Sequence, residues 1–181
     1  MYNYKTEPFK HQRQALLEGA KYLNFAYFME MGTGKTKVAI DNAAYLFQEE
    51  KINFVFVIAP NSVYRNWLKE IDFHCPEKTN IYIWKVTKDK TFKLDPNKLT
   101  FVLMNVEALS HASGKKWLEY KLLKHGMRSM VILDESTSIK NLKASRTKAI
   151  IKLGQLARYK RILTGSPITK SPLDLFSQCA F

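Results

Sequence analysis

Residues 29–36 read Met-Glu-Met-Gly-Thr-Gly-Lys-Thr and follow directly on a short apolar run, Phe25–Met29. Gly32 and Gly34 permit a tight turn that aims backbone N–H groups at phosphate oxygens, and a helix opening near Lys35 adds the positive end of its dipole. Such a turn between a strand and a helix is a phosphate cradle. Met31, Gly32, Thr33, Gly34, Lys35 and Thr36 form the expected cofactor-binding set, with Lys35 on the β- and γ-phosphates of a nucleoside triphosphate and the Thr36 hydroxyl on Mg2+. The usual consensus has glycine five residues before Gly34; Met29 stands there, and the Gly-Lys-Thr core is intact. A triphosphate site also needs acids. The run Val131–Glu135 (VILDE) delivers Asp134 and Glu135 to the carboxyl edge of a buried strand, roughly 100 residues further on. Asp134 suits a magnesium ligand acting through bound water, and Glu135 suits a base that orients or deprotonates the water attacking the γ-phosphate.

These residues need a scaffold that brings distant segments to one edge. Short β-rich runs recur along the chain: Phe25–Met29, Asn53–Ala59, Ile81–Trp84, Phe101–Val106, Met130–Leu133 and Arg161–Thr164. Several are apolar on successive residues, as strands covered on both faces are. Between them, Thr36–Glu50 places Ala39, Ala43, Leu46 and Phe47 on one stripe, and Ser62–Phe73, Glu107–Lys124 and Leu142–Ala157 also read as helices. The alternation predicts an α/β fold in three layers, a mainly parallel sheet flanked by helices, with ligands at the carboxyl ends of the strands. Lys85–Lys98 is the most polar stretch and is expected as an exposed loop. Ser171, Pro172 and Asp174 read as a helix start, and a helix ending on the apolar Phe181 suggests further protein or a partner against it.

Composition narrows the setting. The 181 residues carry 29 Lys+Arg against 16 Asp+Glu, a formal net charge of +13, with 46% hydrophobic residues. Charge is nearly balanced up to residue 60 and strongly basic beyond it, which favours a polyanionic partner. The longest apolar stretch, Phe54–Pro60, falls far short of the ~18 residues of a membrane span, and no secretory leader is visible at the amino end. Cys75 and Cys179 make neither a disulfide framework nor a metal spacing, nor do the four histidines, so a reducing, intracellular (cytoplasmic) setting is expected.

Six ordered segments together resemble the superfamily 2 helicases and translocases, and within them the Swi/Snf-type DNA-dependent ATPases. PFKHQ is similar to the glutamine motif that grips adenine, which implies that Gln12 binds the base of ATP. MGTGKT resembles motif I, APNSVYRNW motif Ia, FVLMNVEAL motif Ib, LDESTSIKN motif II and LTGSP motif III, spanning nearly the whole chain. The resemblance implies a RecA-like lobe using ATP and Mg2+, catalytic roles for Lys35, Asp134 and Glu135, and a coupling role for Thr164 and Ser166. It also implies nucleic-acid contacts by Asn61, Ser62, Arg65, Glu107 and Lys140, with Tyr64, Lys69, Ser110 and His111 as neighbouring candidates. The implied partner is double-stranded DNA, held without regard to sequence. Trp67 matches the tryptophan of motif Ia, and on a helix an aromatic is expected in the core rather than on DNA.

The sequence departs from the family pattern in places. Ser136-Thr137 replace the alanine-histidine after the acids, and Thr169-Lys170 replace the glutamine-asparagine after motif III. The family has two RecA-like lobes with arginine fingers on the second, and residues 1–181 read as the first lobe alone. Such a lobe is expected to hydrolyse poorly, because arginine fingers contribute ~10³ to 10⁵ in related phosphoryl transfers. The alternatives are a nucleotide-dependent DNA-binding module without turnover, and a small-molecule kinase with a phosphate loop. The kinase reading explains neither the motif Ia and III matches nor the charge.

Overall fold

A computed structural model describes residues 2–61, 63–85, 95–135, 144–168 and 174–181. Six strands, β1 (Asn24–Phe28), β2 (Phe54–Ala59), β3 (Thr79–Ile83), β4 (Leu99–Asn105), β5 (Ser129–Asp134) and β6 (Tyr159–Thr164), form one sheet in the order β1-β6-β5-β2-β4-β3. Every pairing is parallel. Parallel neighbours require crossovers, supplied by α2 (Lys35–Gln48), α3 (Tyr64–His74), α4 (Ala112–His125) and α5 (Ser145–Gly154); α1 (Lys10–Ala20) precedes the sheet and α6 (Asp174–Ala180) follows it.

The apolar strands explain the layers. All six residues of β2 are buried, as are all six of β5, and successive side chains enter opposite cores. Val55, Val57 and Ala59 join Leu16 of α1, Val38 and Leu46 of α2, and Trp67 and Ile71 of α3. Phe54, Phe56 and Ile58 join Leu118 and Leu122 of α4 and Ile150 and Leu153 of α5. Helices α1–α3 therefore cover one face and α4–α5 the other. Among the described residues no helix is long and apolar enough to cross a membrane.

Three local differences from the sequence reading have physical causes. The amino-terminal segment forms α1, whose buried positions are Gln12, Leu16 and Gly19. One apolar side chain among those three leaves no stripe to detect. Residues 107–110, expected to open a helix, belong instead to a 3-10 turn over Val106–Ser110, in which the Asn105 side chain accepts the Ala108 N–H at 2.9 Å, and α4 starts only at Ala112. Phe181, expected to meet further protein or a partner, is covered by residues of this chain. Its ring is 4% exposed within the second core and packs on the backbone of Gly154. The Ser171-Pro172 start signal and part of the 85–98 loop lie outside the described residues.

A buried arginine ties the amino-terminal helix to this frame. Arg161 on β6, 0% exposed, donates to Asn42 Oδ1 of α2 at 2.8 Å and to the carbonyls of Gly19, Tyr22 and Leu23 at 2.8–3.1 Å. These carbonyls end α1 and lead into β1. Backbone N–H groups also reach two of them, from Tyr22 to the Gly19 carbonyl at 3.4 Å and from Lys160 to the Leu23 carbonyl at 2.9 Å, and the guanidinium gives each a further donor.

Candidate functional site

The sheet order sets which segments meet. β1, β6 and β5 are consecutive neighbours, with Phe28 beside Thr164 and Leu163 beside Asp134. At about 4.8 Å per strand, the ends of β1 and β5 lie roughly 10 Å apart. The phosphate loop, Thr164–Ser166 and the Asp134–Glu135 pair thus share one edge. Met29 N–H donates to the Thr164 carbonyl at 3.2 Å, and a Cβ added to Gly165 would meet Met31 N at 3.3 Å and the Met29 carbonyl at 3.4 Å. The Thr164 hydroxyl accepts the Ser166 N–H at 3.1 Å.

The loop's conformation follows from its glycines. Gly32 (φ 78°) and Gly34 (φ 83°) occupy the left-handed region that side chains avoid. Gly34 is the N-cap of α2, with no side-chain cap and no acid in the first turn. The first N–H groups of a 14-residue helix are thereby left for a ligand. Lys35 Nζ lies against the Met29 and Glu30 carbonyls at 2.9 and 3.0 Å. Thr33 Oγ1 donates to the Glu30 carbonyl at 2.7 Å. Thr36 follows in the first turn, half-buried, and Met31 is 83% exposed at the rim.

Gln12 is engaged at both ends. Its Oε1 accepts the Phe9 N–H and its Nε2 donates to the Thr33 carbonyl, each at 3.0 Å, and the side chain is 5% exposed. The carboxamide therefore braces the phosphate loop. His11 Nε2 reaches the same Thr33 carbonyl at 3.0 Å, a contact that no motif had indicated.

Asp134 is 5% exposed at the tip of β5. Burial raises its carboxyl pKa above the usual range; the Trp67 indole, the Glu135 N–H and the Lys35 charge act against this, while the Glu135 charge adds to it. Trp67 Nε1 donates to Asp134 Oδ2 at 2.8 Å, and Glu135 N–H donates to Asp134 Oδ1 at 2.9 Å. Trp67, 0% exposed, is in the core as its helical position suggests. Its bond to Asp134 was not visible in the sequence, since 67 positions separate the two. A hydrogen bond to a carboxylate is worth about 1.5–3 kcal/mol. Glu135 has φ 50°, a conformation that costs roughly 1–3 kcal/mol for a side-chain-bearing residue and gathers at functional sites.

A magnesium ion fits these donors. Asp134 and Thr36 offer hard oxygens beside an uncapped helix N-terminus. Among the described residues no three His, Cys, Asp or Glu form a metal cluster, and magnesium shared with phosphates needs none.

Further along the same edge, β2 and β4 are neighbours. Asn61, Arg65, Glu107, Ser110 and His111 are all exposed there, and Asn105 Nδ2 donates to Asn61 Oδ1 at 2.9 Å, tying the two segments together. Ser62 and Lys140 lie outside the described residues.

Residues 23–181 match the SNF2-related domain family. The chain belongs to that family. This SNF2-related domain is 28% identical over 156 residues to the chromatin-remodeling ATPase INO80 of Arabidopsis thaliana, covering 84% of the chain and 10% of that protein. It is 31% identical over 163 residues to INO80 of Debaryomyces hansenii, covering 84% and 11%. Among solved structures, it superposes on the Sulfolobus solfataricus SWI2/SNF2 ATPase core in complex with dsDNA with a TM-score of 0.72 at 24% identity, covering 97% of this chain and 36% of that one. The UvsW helicase of bacteriophage T4 gives a TM-score of 0.64 at 17% identity, covering 95% and 57%. The domain thus shares the fold of part of a SWI2/SNF2 ATPase core, and it spans about a tenth of the length of the curated INO80 relatives.

Proposed function

We propose that this chain is the ATP-binding lobe of a DNA-dependent ATPase that couples hydrolysis to movement along duplex DNA. The observation that carries the reading is the adjacency of β1, β6 and β5, which sets Lys35, Thr164 and Asp134–Glu135 on one edge. Backbone N–H groups of residues 31–36 cradle the phosphates, and Lys35 exchanges its Met29 and Glu30 carbonyls for β- and γ-phosphate oxygens. Thr36 and Asp134 would hold magnesium, which would supply charge neutralisation at the phosphates. Glu135 orients the attacking water and accepts its proton. Gln12 ties the adenine side to the loop through Thr33. Thr164 and Ser166, between the loop and the acids, report the state of the nucleotide to the rest of the edge.

Asn61, Ser62, Arg65, Glu107 and Lys140 take the DNA side. Phosphate contacts carry no sequence information, so duplex binding is sequence-independent. A relative of the same fold is named as a complex with dsDNA, which supports a duplex partner. A second RecA-like lobe, in cis or in trans, completes the site, and the setting is intracellular.

The test is nucleotide binding by the 181-residue chain. A fluorescent ATP analogue with Mg2+ should bind, Lys35→Ala should weaken binding at least 10-fold, and Glu135→Gln should leave it intact, while hydrolysis by the chain alone stays slow with or without DNA. Vigorous turnover without a second lobe, or full affinity in Lys35→Ala, sinks the reading.

A further inference from the structure

The carboxyl edge of the sheet has two halves. β1, β6 and β5 carry the nucleotide residues, and β2 and β4 carry the Asn61–Arg65 and Glu107–His111 segments. Trp67 belongs to the second half by sequence, because α3 is entered from Asn61–Arg65: Val63 N–H donates to the Pro60 carbonyl at 2.9 Å, and Trp67 N–H to the Val63 carbonyl at 3.4 Å. Its indole reaches the first half, donating to Asp134 Oδ2 at 2.8 Å. Core packing beside Val57, Ala59 and Ile132 requires only an apolar ring. An indole adds a donor that cannot accept, so the bond has one polarity and fixes one oxygen of the acid. The other oxygen is fixed by the Glu135 N–H. Each oxygen is left with lone pairs for a ligand.

We propose that Trp67 is a positioning residue: its indole N–H holds the Asp134 carboxylate in the orientation that receives Mg2+, and through α3 it makes that orientation depend on the Asn61–Arg65 segment. This rests on the nucleotide-site reading given above. A ligand engaged at Asn61 or Arg65 would act on α3, which reaches the Asp134 side of the site through one hydrogen bond. Ordering of an outer ligand-holding group is worth roughly 10-fold or more in metal affinity.

The experiment replaces Trp67 with β-(3-benzothienyl)alanine, which keeps the bicyclic shape and substitutes sulfur for N–H, and compares it with Trp67→Phe. Binding of a fluorescent ATP analogue is measured with Mg2+ and with EDTA. Both variants should lose most of the Mg2+-dependent gain, roughly 10-fold, while affinity in EDTA stays at the wild-type value. An undiminished Mg2+ gain overturns the proposal, and so does an equal loss in both conditions, the mark of a merely structural ring. As a second readout, the indole 15N–1H resonance of Trp67, assigned with Trp84→Phe and Trp117→Phe, should move when Mg2+ is added to the ADP-bound chain. A resonance that stays fixed also overturns it. If the wild-type chain binds nucleotide in neither condition, the underlying site reading fails and this proposal with it, a result distinct from a variant-specific one.

Discussion

Gly34 and Gly32 share a left-handed backbone but differ in what surrounds them. A Cβ at Gly34 would collide with Gln12 Nε2, whereas one at Gly32 meets nothing within 4 Å. Gly32→Ala should therefore cost only the conformational penalty, about 1–2 kcal/mol. Gly34→Ala should cost more, about 2–4 kcal/mol, because the alanine also pushes Gln12 off the Thr33 carbonyl. Urea denaturation of the two variants measures the difference, and equal losses would show that the Gln12 brace contributes nothing. At this scale the phosphate loop and the acids were legible in the sequence because their chemistry requires fixed residue types at short spacing. The Trp67–Asp134 bond and the His11 contact were not, since each depends on how a helix lies over the loop or the sheet. Burial pushes the Cys75 thiol up to about 11, so it stays protonated at neutral pH.

At the level of elements, the inner strands were legible because two covered faces leave an unbroken apolar run, as in β2 and β5. α1 was not, because Leu16 is the one large apolar side chain among its buried positions, and its other ties run through Gly19 to Arg161 and through Gln12 to the phosphate loop. Two helix ends carry a pH dependence. His74 closes α3 and His125 closes α4, where the helix dipole alone would favour imidazolium. Burial outweighs it and is the first cause lowering both ring pKa values from 6.5; Lys124 and Lys121 add to the effect at His125, while Glu70 opposes it at His74. A base with a depressed native pKa binds protons more readily in the unfolded chain. Its stabilising effect is therefore full above pH 6.5 and fades as pH falls from there toward the native value. His125 stacks on Phe54 with ring centroids 4.6 Å apart, so His125→Gln should melt earlier at pH 7.5 but lose less on acidification to pH 5.5 than the parent. Parallel melting-temperature curves would remove His125 as a source of the pH dependence.

For the molecule as a whole, the charge of +13 makes a measurable claim. A domain that neutralises three phosphates should lose roughly 40-fold in duplex affinity between 50 and 200 mM salt, equally for two unrelated sequences. Filter binding checks this, and an affinity indifferent to salt would mean that the basic surface does not track a phosphate backbone.

The sheet order also bears on how the chain matures during synthesis. Among the described residues β1 sits at an edge of the sheet and pairs with β6 alone. A ribosome therefore releases the strand that launches the phosphate loop long before residues 159–164 exist to receive it, a wait on the order of ten seconds at ~5–20 residues per second. The carbonyls at Gly19, Tyr22 and Leu23 wait equally long for Arg161. The earliest-made part of the proposed nucleotide site is thus among the last to lock, and a nascent chain stalled before β6 holds residues 29–36 in an unfinished, chaperone-accessible form.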